Sequence, residues 1–187
     1  MKSCLIVIDV QESFRHRPYF DAAALSTYLA SQNALITAAL ADRVPVVRVL
    51  HADEPDTPDN PFSHASGLVR PLEGLVPFEA ALTVHKARHS ALVGTGLDVW
   101  LVQHGIGRVV ISGIRTEQCC ETTARHASDL GWEVDFVTDA TLTFDMHDAQ
   151  GGLLTADAIR HRTATVLDGR FAQVCTVGEA VARWQPA

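Results

Sequence analysis

The strongest constraint on the fold is an alternation: short runs rich in Val and Ile recur along the chain, separated by longer segments of helical period. Near-continuous apolar runs at residues 4–8, 44–50, 82–85, 108–112, 133–138 and 172–177 suit strands buried on both faces. A strand with one wet face alternates apolar and polar residues instead. Between the runs, residues 22–41, 95–104, 117–130 and 155–165 read as helices, three of them followed by Gly105, Gly131 or Gly169, where a left-handed C-terminal cap favours glycine. Strands alternating with helices predict βαβ units. The expected fold class is therefore α/β, a three-layer α/β/α architecture on a six-stranded, mostly parallel sheet. Residues 52–76 interrupt the pattern with several prolines and polar residues and read as a long loop, the kind that shapes a binding site.

At 187 residues, 47% of them apolar, the chain can bury one sizeable core, so a single domain over 1–187 is expected. A net charge of −7 without a Lys/Arg cluster offers nothing to attract phosphate backbones or anionic lipid, so neither nucleic acid nor membrane is an expected partner. The opening apolar run is too short for a signal peptide, and no stretch approaches the roughly 20 apolar residues of a membrane span. The expected location is cytoplasmic. Cys4, Cys119, Cys120 and Cys175 have neither zinc-type spacing nor the density of a disulfide framework, and are expected as reduced thiols. No glycine-rich phosphate loop opens a helix after a strand, so no nucleotide or flavin cofactor is expected.

In open α/β sheets ligands bind beyond the carboxyl ends of the strands. Three residues stand there. Asp9 ends the first run, where a carboxylate suits a general base or, equally, a polar strand terminus. Lys86 follows the third run, as a site cation or as a charge reaching solvent. Cys119 falls about three residues into the helix after the fourth run, with Thr116 as the expected N-cap. Helix N-terminal amides there would favour a thiolate and could hold an oxyanion, although a small buried hydrophobe is the commoner fate of a free cysteine. Cys120, about 100° further round the helix, reads as core.

Taken together these segments resemble the isochorismatase-like hydrolases, the family of nicotinamidases and N-carbamoylsarcosine amidases. The resemblance rests on Asp9-Val10-Gln11-Glu12-Ser13-Phe14, on Lys86-Ala87-Arg88-His89-Ser90-Ala91-Leu92, and on Gly113, Thr116, Cys119, Thr123, Ala124 and Arg125. It implies a flavodoxin-like sheet and an Asp9-Lys86-Cys119 triad. It also implies a cis peptide at Ile114–Arg115, an oxyanion hole from the Arg115 and Cys119 amides, and substrate contacts from Gln11, Phe14 and Arg115. Assembly into a homo-oligomer is implied as well.

The sequence departs from the family pattern at four places. Leu92 and Cys120 are apolar replacements, and Arg115 stands where a small residue is usual. Val49 occupies the place of the aspartate that, two positions before a histidine, starts the metal site of the nicotinamidase branch. Without it, His51, His64 and Asp53 make a poor ligand set, and no metal is expected. Arg15, His16, Arg17 and Tyr19 near the first strand end read as the border of a pocket whose basic residues pair with a substrate carboxylate or, equally, as a solvated surface turn; Arg115 and Arg88 point to a carboxylate or a polar ureido group. The reading that follows is hydrolysis of an amide or ureido C–N bond of a small molecule through a thioester. Preferential alkylation of Cys119 near neutral pH is expected. A vinyl-ether hydrolase and a non-catalytic binding domain are the alternatives.

Overall fold

The computed structural model describes residues 1–184; the last three of the residues read as one domain lie outside them. The chain runs β1 (Ser3–Ile8), α1 (Leu25–Ala41), β2 (Val46–His51), β3 (Leu82–Lys86), α2 (Leu97–Gln103), β4 (Arg108–Ile114), α3 (Glu121–Asp129), β5 (Glu133–Leu142), β6 (Met146–His147), β7 (Leu153–Leu154), α4 (Ala156–Leu167), β8 (Gln173–Cys175) and α5 (Val177–Trp184). Six strands form one sheet in the order β3-β2-β1-β4-β5-β8. Every pairing within it is parallel, so the sheet is parallel throughout.

The runs that read as strands pair because both their faces are apolar. All six residues of β1 are buried, and alternate residues feed two cores. Cys4, Ile6 and Ile8 pack with Val47, Val49, Leu97 and Ala124 on one face, while Leu5 and Val7 pack with Leu35, Ile36, Val110 and Val137 on the other. The sheet is thus sandwiched between helices, the three-layer arrangement anticipated from the alternation.

Differences lie at the ends of elements. The helix expected over 117–130 opens as one wide turn, Thr116–Cys120, in which the Cys120 N–H donates to the Arg115 carbonyl five residues back at 3.2 Å; α3 follows it. Thr116 does not cap this turn: its hydroxyl donates to Thr141 Oγ1 at 2.9 Å. The small antiparallel pair β6–β7 and the helix α5 were not anticipated. No helix among the described residues is long and apolar enough to cross a membrane.

The sheet order places the reversal of winding between β1 and β4, neighbours in space that are far apart in sequence. Crevices form at such switch points, because the connections leave in opposite directions. Close approach of the two strands there depends on Gly113: a Cβ at this position would lie 1.9 Å from the Ile8 carbonyl oxygen.

Candidate active site

Each of the three strand-end residues is carried to the crevice by its own strand. Beyond Ile8 the chain bends at Asp9, whose φ of +52° is a left-handed conformation that aspartate tolerates better than most side chains. Lys86 is the last residue of β3, paired in register with His51 at the end of β2. Cys119 sits in the wide turn after β4. A local widening of a helix by one residue is a recurrent feature of functional sites.

The structure brings the three together. Lys86 Nζ lies 2.8 Å from Asp9 Oδ2 and donates to Cys119 Sγ at 3.2 Å. It also lies 2.8 Å from His51 Nδ1. An ammonium has three N–H groups, and three acceptor atoms lie within reach of this one. His51 Nε2 in turn lies 2.7 Å from Asp53 Oδ1.

Burial sets the protonation states. It pushes the Cys119 thiol well above the ordinary thiol range, and the adjacent Asp9 charge adds to this, against a smaller opposing pull from Lys86. Burial works against the Lys86 charge, but Asp9 and then Cys119 outweigh it and hold the ammonium above its usual range. Burial thus favours the neutral form of the Cys119 thiol. Desolvation here works against the thiolate that the helix amides were expected to favour.

A cleft of about 180 Å³ opens on this cluster, lined by Asp9, Cys119, His51, His89, Gln118 and Arg17 with an aromatic wall of Phe14, Tyr19 and Phe62. That is below the roughly 300–1,000 Å³ of sites for drug-sized ligands, so the space suits a small molecule. Phe14 lies in this wall, held edge-on to Phe62 at 5.1 Å.

Gln11 and Arg115 are placed differently from their expected substrate contacts. Gln11 is fully buried, and both ends of its amide serve the fold. Nε2 donates to Ser13 Oγ at 2.7 Å and to the His51 carbonyl at 3.0 Å, while Oε1 accepts from the His51 N–H at 2.8 Å. The Arg115 guanidinium is buried in an ion pair with Glu117 at 3.1 Å and stacks over Tyr19 and Phe144. It does not line the cleft and supports its rim from behind.

The Ile114–Arg115 peptide is cis. In the turn beyond it the Gln118 and Cys120 amides are both taken by the Arg115 carbonyl. Of the basic residues near β1, Arg17 reaches the cleft, whereas Arg15 pairs with Glu12 at 3.6 Å. Arg88 is exposed and donates to the neighbouring Ala87 carbonyl. His89, whose Nδ1 lies 3.9 Å from Cys119 Sγ, had not been singled out; its place three residues after Lys86 was the available signal.

The structure does not assemble the poor metal set of His51, His64 and Asp53. His64 packs edge-on to His85 at 5.1 Å, and Val49 lies in the core. Asp9, His51 and Cys119 do bring one ligand atom each within 4.8 Å of one another. Yet the Lys86 ammonium touches all three, and both His51 nitrogens are engaged. The position open to a cation among these atoms is filled by the chain's own.

Comparison with known proteins gives the relatives of the chain. Residues 3–171 match the model of the Isochorismatase domain. The chain is similar, at 25% identity over 183 residues, to the uncharacterized isochorismatase family protein YrdC of Bacillus subtilis (strain 168), covering 96% of this chain and 95% of that protein. A shorter stretch of 68 residues is 44% identical to Nicotinamidase 3 of Arabidopsis thaliana, 35% of this chain and 34% of that one. Among solved structures, a cysteine hydrolase from Pseudomonas syringae pv. phaseolicola 1448A superposes with a TM-score of 0.86 at 25% identity, over 98% of this chain and 92% of that one.

Proposed function

The chain belongs to the isochorismatase family of hydrolases, and from that premise we propose that it is a cysteine hydrolase that cleaves an amide or ureido C–N bond of a small molecule. The observation that carries this reading is the buried contact of Lys86 with both Asp9 and Cys119, at the floor of a small cleft. A thiol, a carboxylate base and a fixed cation are the parts that acyl transfer requires.

Asp9 takes the proton of the Cys119 thiol as Sγ attacks the carbonyl carbon. The tetrahedral oxyanion is held by the Arg115 and Cys119 amides. Asp9 then returns the proton to the leaving nitrogen as the C–N bond breaks, leaving a thioester. Water attacks the thioester, Asp9 accepting its proton, and the acid departs as the thiol re-forms. Lys86 holds Asp9 in place between these steps. The resting thiol fits the scheme, because the base needs a proton to take.

The small cleft and its aromatic wall fit a compact substrate, in keeping with the likeness of one segment to a nicotinamidase.

The test is ammonia release from a panel of primary amides, ureido acids, biuret-like compounds and nicotinamide, without added metal. Release by the native protein and none by Cys119→Ala, folded to the same extent by circular dichroism, is expected for at least one class. Equal release by both proteins, or none from the native protein, would remove the C–N hydrolase reading.

A further inference from the structure

His51 is the buried residue at the site that the scheme above leaves without a task. Its ring lies against Lys86 on one side and Asp53 on the other, with Phe62 edge-on at 5.8 Å. Its backbone is fixed as well, since Gln11 bonds both its N–H and its carbonyl. So much anchoring of one ring suggests that its orientation matters.

The hydrogen-bond inventory determines that orientation. An ammonium only donates, so Lys86 requires a bare Nδ1 on His51; the ring proton must then sit on Nε2, where the Asp53 carboxylate accepts it. We propose that His51 is a positioning residue. Its bare Nδ1 anchors the Lys86 ammonium between Asp9 and Cys119, and Asp53 selects the tautomer that keeps Nδ1 bare.

Without that acceptor one N–H of a wholly buried ammonium has no partner, and a flexible four-carbon stem lets the group move to find one. Any such movement takes the cation away from Cys119 Sγ. The inference rests on the proposed role of Cys119 for its catalytic meaning, although the placement of Lys86 can be read without any substrate.

The titratable and charged groups facing His51 are Lys86 on β3, Asp53 beyond β2, Asp9 beyond β1 and Cys119 in the turn after β4. Cys119 is faced by Asp9, Lys86, His51 and His89. Because the Lys86 charge favours the Cys119 thiolate, displacing it moves thiol ionisation to higher pH and slows alkylation at any fixed pH below that.

The experiment follows iodoacetamide labelling of Cys119 in the full chain by peptide mass spectrometry as a function of pH. It compares the native protein with His51→Leu, which removes the acceptor, and His51→Asn, whose side-chain oxygen can stand near the Nδ1 position. Labelling at pH 8 is expected to slow about tenfold in His51→Leu, since each pH unit of upward shift in ionisation is about tenfold in thiolate. His51→Asn is expected to stay within about threefold of the native rate. Native rates in both variants, or equal slowing in both, would overturn the proposal.

Should His51→Leu fail to fold, Asp53→Ala decides the matter, because that carboxylate side chain is 49% exposed and its loss frees the tautomer. A slowing of about threefold is expected, and an unchanged rate overturns the proposal. Silence of the amide panel would sink the C–N hydrolase reading and leave this measurement standing.

Discussion

Lys86 carries a charge on a side chain that is 0% exposed, beside an Asp9 side chain at 1%. Removing one partner of such a pair strands the other in low dielectric. Lys86→Met is therefore expected to lower unfolding stability by about 3–5 kcal/mol in denaturant titration, and Asp9→Asn added to it to recover about half of that loss. A loss under about 1 kcal/mol in the single variant would mean that water reaches the pair. At this scale the sequence was legible where a residue's position alone carries meaning: Asp9 and Lys86 end apolar runs, Cys119 opens the helical segment after another, and all three meet. It was not legible where the partner comes from elsewhere in the chain. Arg115 looked like a residue for an anionic substrate, but Glu117 and Tyr19 enclose it. Gln11 looked like a contact residue, but it is spent on the backbone of His51, forty residues away.

Among the elements, the wide turn of Thr116–Cys120 is tied down by one hydroxyl of α3. Thr123 Oγ1 donates to the Cys119 carbonyl at 2.6 Å and accepts from the Ala91 N–H at 3.0 Å, joining the cysteine-bearing turn to the segment after β3. Thr123→Val keeps the shape and removes both bonds, leaving a buried N–H and carbonyl without this partner. The expected cost is about 1–3 kcal/mol in thermal or denaturant unfolding; an unchanged midpoint would show that backbone groups or water replace the hydroxyl. Parallel strands were readable because burial on both faces selects unbroken Val/Ile runs. The extra residue of the wide turn was not, since an apolar period over fourteen residues hardly registers one inserted position. The two-residue strands β6 and β7 carry no period at all. Helix α5 follows β8 so closely that its first residue, Val177, reads as the end of the strand run.

Over the whole molecule, the site exists because β1 and β4 lie side by side at the sheet's reversal and bring residues 9 and 119 to one crevice. Gly113 permits that approach, at a φ of +131° and with no room for a side chain against Ile8. Gly113→Ala is expected to cost more than about 4 kcal/mol, or to prevent recovery of folded protein, as judged by soluble yield and thermal unfolding. A normal melting curve would mean that the two strands can separate without loss of the core. Its place at the end of a strand run was visible in the sequence; the carbonyl it must pass is more than a hundred residues earlier and was not. The ammonium at the centre of the crevice has a consequence of another kind. A cation that is covalently part of the polypeptide arrives with translation, cannot be chelated away and cannot be exchanged for a neighbouring ion. Whatever substrate the crevice accepts, the Lys86 charge is written in the genetic code.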